Sequence, residues 1–123
     1  MVEELWKKVF KLGEEYREKV RAIVEEIAQL IAEKHSQEIE ALAKKLGAKI
    51  ILSVKCEDTN PINTYPCLYL VLPTPKFVME RYELKEEAEK FLGGWASHAR
   101  LRVDVTTEKM EETIQPKIKE WGA

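Results

Sequence analysis

From Leu5 onward, apolar side chains recur at Val9, Leu12, Tyr16, Val20, Ile23, Ile27 and Ile31, and Ile39, Leu42 and Leu46 carry the stripe past His35. Steps of three and four residues bring such positions to one side of an α-helix, because about 3.6 residues complete a turn. Gly47 supplies a stop, and Lys44 and Lys45 lie in the last turn, where the helix dipole favours cations; Glu3 and Glu4 lie at the opposite end. The pattern predicts helix over residues 1–46. The mean step slightly exceeds 3.6, so the stripe fits an ordinary helix-packing face rather than the strict seven-residue repeat of a long left-handed coiled coil. Gly13, about 1 kcal/mol worse than Ala in a helix interior, and Ser36, a capping residue type, mark where the segment would divide. The expectation is one helix, or two broken near Ser36.

Beyond Gly47 the period changes. Ile50, Leu52, Val54 and Cys56 alternate with other residues and predict a strand, and CLYLVL at 67–72 predicts a second. Their pairing as an antiparallel hairpin would put Ile50, Leu52, Val54 and the cysteines on one face, with Ile51, Leu68, Leu70 and Leu72 on the other, so both faces need cover. Residues 77–83 admit two readings, a third strand through Phe77, Val78 and Tyr82 or the start of a helix capped at Thr74; the strand is preferred. Ala88, Phe91, Leu92, Trp95 and Ala99 form a helical face. LRVDV at 101–105 alternates cleanly, with Leu101, Val103 and Val105 inward and Arg102 and Asp104 outward. Thr106 or Thr107 is placed to cap a final helix carrying Met110, Ile114 and Ile118, which Pro116 should kink or end. The fold class expected is therefore α+β: a long N-terminal helix, a small, mainly antiparallel sheet of three or four strands, and two further helices, in the order α-β-β-(β)-α-β-α. With no repeat and no Gly/Ser/Pro-rich linker, residues 1–123 read as one domain, a helical arm over 1–46 and an α/β body over 48–123.

Composition narrows the functional classes. Charged residues make up 34% of the chain, but 20 basic side chains nearly balance 22 acidic ones, and a net charge of -2 gives no general attraction to phosphate backbones. Two Asn and three Gln against abundant Glu and Lys is the composition expected of a heat-adapted, archaeal-type protein, in which ion-pair networks replace heat-labile amides. The start MVEELWKK has no cationic segment ahead of an apolar run and no small-residue cleavage site, and no window approaches eighteen apolar residues, so a soluble cytoplasmic protein is expected.

Candidate chemistry is sparse. Cys56 and Cys67, the only cysteines, enclose CEDTNPINTYPC with ten residues between them. That spacing lacks the close pairing of zinc ligands and of redox-active thiols, and His35 and His98 are the only histidines, so no metal and no cofactor is expected. The pair is read as a disulfide clamping the loop, worth about 2–3 kcal/mol, with two reduced thiols as the alternative. Glu83-Leu84-Lys85 resembles the E-x-K element of PD-(D/E)xK nucleases, in which acid and lysine share one face of a strand beside a metal-binding Asp, and the helix-strand-strand-strand-helix-strand order is similar to the core of that class. The resemblance implies Glu83 and Lys85 as catalytic residues; no acid stands in CLYLVL, and Asp58 in the loop takes the place of the expected Asp. Trp95, His98, Arg100 and Arg102 suggest a small basic-aromatic patch for single-stranded nucleic acid, or a core tryptophan with a solvated rim.

A 44-residue helix would be about 66 Å long against a globule diameter of roughly 35 Å. Its stripe, widened by Trp6 and Phe10, cannot be buried within one subunit unless the helix folds back. The function expected is a non-enzymatic, self-associating module that binds another macromolecule, a homodimer through Leu5, Val9, Leu12, Tyr16, Val20, Ile23, Ile27 and Ile31. The alternative is a nuclease-like or nucleic-acid-binding accessory protein.

Overall fold

The computed structural model describes residues 1–56, 63–73 and 101–122. In chain order these form α1 (Val2–Leu46), β1 (Lys49–Cys56), β2 (Thr64–Leu72), β3 (Arg102–Thr107), α2 (Glu108–Glu111) and β4 (Lys117–Trp121). The architecture is α+β, a long helix against a four-stranded mixed sheet in the order β3-β2-β1-β4. β1 is antiparallel to β2 and to β4, whereas β2 and β3 run parallel. Parallel neighbours need a long crossover rather than a tight turn. That connection falls within residues 74–100, outside the described residues, as do the expected strand at 77–83 and the helical face from Ala88 to Ala99.

α1 spans 45 residues in one element, with a single non-helical residue, His35 (φ -115°, ψ 17°), at a kink. The division expected near Ser36 is thus a bend, and the helix does not fold back. Beside the bend, His35 Nδ1 donates to Glu38 Oε2 at 2.6 Å, and Ser36 Oγ accepts the Trp121 indole N–H at 3.1 Å. The Ser36 hydroxyl therefore ties the end of β4 to the kink. Gly47 takes the left-handed conformation (φ 59°, ψ 35°). Its N–H bonds Lys44 O and that of Ala48 bonds Ala43 O, which satisfies two otherwise orphaned carbonyls and turns the chain into β1.

The core lies between the C-terminal half of α1 and one face of the sheet. Val24, Ala28, Ile31, Ala32, Ile39, Leu42, Ala43 and Leu46 of the helix pack on Ile50, Leu52, Val54, Leu68, Leu70, Leu72, Leu101, Val103 and Trp121. Fully buried branched residues such as Ile50, Leu52 and Leu68 contribute about 1.5–3 kcal/mol each. Small residues at 28, 32 and 43 let the helix approach the strands closely. On the opposite sheet face, Ile51, Val71 and Ile114 make a smaller cluster with Tyr69. As expected, Val103 is buried and Val105 packs against the main core, while Arg102 and Asp104 take the other face.

Three expectations are corrected. The ladder aligns Leu52 with Leu68 and Ile50 with Leu70, so the leucines of β2 share the helix-facing side with Ile50 and Leu52 rather than with Ile51. The same register aligns Cys56 with Thr64 and Cys67 with Ser53. The two cysteines therefore stand three positions apart along the ladder, about 10 Å, and by strand alternation on opposite faces, beyond the roughly 7 Å that a disulfide spans between Cα atoms. Neither cysteine forms a disulfide, and the expected clamp is overturned. The final helix, expected to carry Met110, Ile114 and Ile118, stops after four residues at Glu111. Pro116 disfavours helix before it, and Ile118 instead lies on β4, an edge strand whose Trp121 pairs with Ile50.

Candidate functional site

The largest feature left unexplained by the fold is the free half of α1. Its amphipathic pattern continues to the N-terminus, but residues 1–16 have no strand of the described residues beneath them and are all exposed. Val2, Leu5, Trp6, Val9, Phe10, Leu12 and Tyr16 keep between 53% and 67% of their surface accessible, and Ile23 and Leu30 are exposed farther along. Trp6 and Phe10, one turn apart, lean on each other with ring centroids 6.3 Å apart. Isolated exposed apolar residues are ordinary on a protein surface, but contiguous apolar patches of several hundred Å² are uncommon on monomeric soluble proteins.

The helix carries two stripes. Val20 and Ile27 are half-buried against the core and Ile31 is fully buried in it, so these three serve the chain's own body. Leu5, Val9, Leu12, Tyr16 and Ile23 point away from it. Within the exposed set, Val2, Val9, Tyr16, Ile23 and Leu30 recur every seven residues, with Leu5 and Leu12 at the intervening position. A strict heptad is thus present, hidden in the sequence because the body-facing residues, at a slightly longer mean step, merge with it into one stripe. Comparing the seven-residue spacing of Val2, Val9, Tyr16, Ile23 and Leu30 with the remaining positions would have separated them.

The face of the sheet remote from α1 gathers titratable groups. Asp104 on β3 pairs with Lys55 of β1 and with Arg102 Nε at 3.1 Å. Arg102 Nη1 donates to the Tyr65 hydroxyl at 3.2 Å, which holds this cation in the sheet network. Cys67 is buried beside them; burial pushes its thiol up to about 12, so it is protonated at neutral pH and is neither a nucleophile nor a metal-binding thiolate. Burial likewise raises the Tyr65 and Tyr69 phenols well above their ordinary range. A thiol and two phenols raised in this way differ from the depressed thiol or poised base used in covalent or acid–base catalysis. At the other end of the same face, Lys49 donates to Glu111 Oε1 at 2.7 Å, fastening α2 to β1, with Lys117 3.9 Å from the same oxygen.

Among the described residues, no group of three or more His, Cys, Asp or Glu side chains is placed to hold a metal ion. Glu83, Lys85 and Asp58 of the nuclease-like reading, and Trp95, His98 and Arg100 of the basic-aromatic patch, lie outside the described residues. No helix among the described residues is long and apolar enough to cross a membrane. Neither a family model, nor a curated protein, nor a solved structure matches the chain.

Proposed function

We propose that this protein is a non-enzymatic module that self-associates through the exposed half of α1 and, so assembled, presents its α+β body for binding another macromolecule. One observation carries the reading: nine of the large hydrophobic residues of α1 are exposed, and seven of them fall within its first sixteen residues. An exposed helix of that length is marginal in water by itself, since most helical stability comes from packing an apolar face. A second copy offers the same face and covers both at once, as two-fold symmetric association requires. A lipid surface fits less well, because residues 2–21 hold six basic side chains (Lys7, Lys8, Lys11, Arg17, Lys19, Arg21) against five acidic ones (Glu3, Glu4, Glu14, Glu15, Glu18), too balanced for attraction to anionic lipid.

The test is light scattering on the whole chain and on Val9→Asp/Leu12→Asp, whose changes touch only the exposed face. The unaltered chain is expected to have the mass of a dimer and the variant that of a monomer with an unchanged sheet signal in circular dichroism. A monomeric unaltered chain at tens of micromolar, including one that binds anionic vesicles instead, overturns the reading.

A further inference from the structure

We infer that two copies pair antiparallel, with residues 2–19 of α1 crossing residues 2–19 of a second copy about a two-fold axis between positions 10 and 11. The inference rests on the self-association proposed above and fixes its geometry. Taking Val2, Val9, Tyr16 and Ile23 as the first core position of the heptad makes Leu5, Leu12, Lys19 and Glu26 the second.

In a parallel, in-register pair each residue meets its own copy. Lys19 would then face Lys19 and Glu26 would face Glu26 inside the seam, two layers of like charge at positions that ask for apolar side chains. The flanking positions would bring Lys8 to Gly13 and Glu15 to Val20, with no ion pair to set the register.

Antiparallel pairing about that axis removes both faults. Leu5 meets Tyr16 of the second copy and Val9 meets Leu12 of the second copy, each contact occurring twice by symmetry. Lys19 falls at the margin beside Val2, and Glu26 lies outside the overlap. On one flank Lys8 meets Glu15 of the second copy; more broadly the basic run Lys7, Lys8, Lys11 opposes the acidic run Glu14, Glu15, Glu18. On the other flank the indole of Trp6 meets Gly13 of the second copy. There a glycine leaves room for a large ring, and a Cβ built on Gly13 meets nothing within 4 Å in the single chain. The overlap of 18 residues, about 27 Å of helix, ends where Val20 and Val24 begin to pack on the chain's own core. The described parts of the two bodies therefore sit at opposite ends of the pair. Trp6 and Gly13, which lie outside the core formed by the described residues, acquire a role.

Cysteine bridging reads the orientation. In a Cys56→Ser background, mild oxidation of Leu5→Cys/Tyr16→Cys is expected to give a covalent dimer, as is an equimolar mixture of the two single variants, while neither single variant bridges alone. Bridging of Leu5→Cys by itself places both residues 5 at one level and overturns the antiparallel geometry. A charge swap reads it independently: Lys8→Glu is expected to weaken the dimer several-fold, and adding Glu15→Lys to restore it. Lys8→Glu without effect, or no restoration by the second change, overturns the pairing. Light scattering on the unaltered chain keeps the two levels apart. A monomer removes self-association itself, whereas a dimer that fails both the bridge and the swap removes the orientation alone.

Discussion

Single side chains in this fold show how tightly local chemistry is tied to the sheet. Ser53 is buried in β1 and its hydroxyl has no hydrogen-bond partner among the described residues. An unpaired buried hydroxyl carries a desolvation cost of about 1–3 kcal/mol, so Ser53→Ala is expected to stabilise the chain by about 1 kcal/mol, seen as a higher urea midpoint; a lower midpoint would contradict that account. Gly122 is the opposite case. It closes β4 at φ 83°, and a Cβ there would stand 2.6 Å from Ala48 O and 3.3 Å from Lys49 Cα, both backbone atoms with little freedom to move. Gly122→Ala should cost about 1–3 kcal/mol through strain at positive φ and displacement of the β1–β4 pairing. An unchanged thermal midpoint would show that the end of β4 is not held as described. Trp121 beside it both fills the core and donates to Ser36, so Trp121→Phe keeps most of the packing, loses the hydrogen bond and is expected to loosen the kink.

At the scale of elements, α2 is held to the sheet by charge more than by burial, since none of its four residues is buried. Glu111 is pulled below the ordinary carboxylate range chiefly by the hydrogen bond from Lys49, against a smaller opposing effect of burial, and Lys49 is raised by the same bond. A depressed glutamate stabilises the fold fully above its unfolded value of about 4.3, and that contribution disappears as pH falls through the lower folded value. A raised lysine contributes fully below about 10.4 and loses its share as pH rises through the folded value. Glu111→Gln should therefore be less stable than the unaltered chain near neutrality, and the difference should shrink at acid pH. Urea midpoints at about pH 7 and about pH 3 measure it; a gap that stays constant would contradict the pairing.

Much of this organisation was legible in the residues. The 3.6-residue period of α1, the alternation of LRVDV and the stop at Gly47 all follow from local geometry. Register was less so: whether Leu68 faces with Ile50 or with Ile51 depends on a one-residue choice in the ladder, and the inferred disulfide failed with it. The terminal segment misled because positions 110, 114 and 118 suit a helix as well as their final places, and only the pairing of Trp121 with Ile50 decides for a strand. The exposed heptad was legible in the seven-residue spacing of Val2, Val9, Tyr16, Ile23 and Leu30, but reading every apolar position as one stripe merged it with the residues that the sheet covers.

Among the described residues, a helix about 67 Å along its axis, bent at His35, rests on the four-stranded sheet through its C-terminal half. Association and order in the N-terminal half should then be linked: residues 2–19 gain helix stability from the same contacts that hold the pair together. Amide exchange in that segment is expected to slow as concentration rises, while amides of β1 and β2 stay protected throughout. Equal exchange in the arm at all concentrations would separate helix formation from pairing. The most direct measurement is equilibrium sedimentation of the unaltered 14.3 kDa chain across nanomolar to tens-of-micromolar loading. The mass is expected to rise to about twice that of one chain, and a mass that stays at one chain over the whole range would contradict the account.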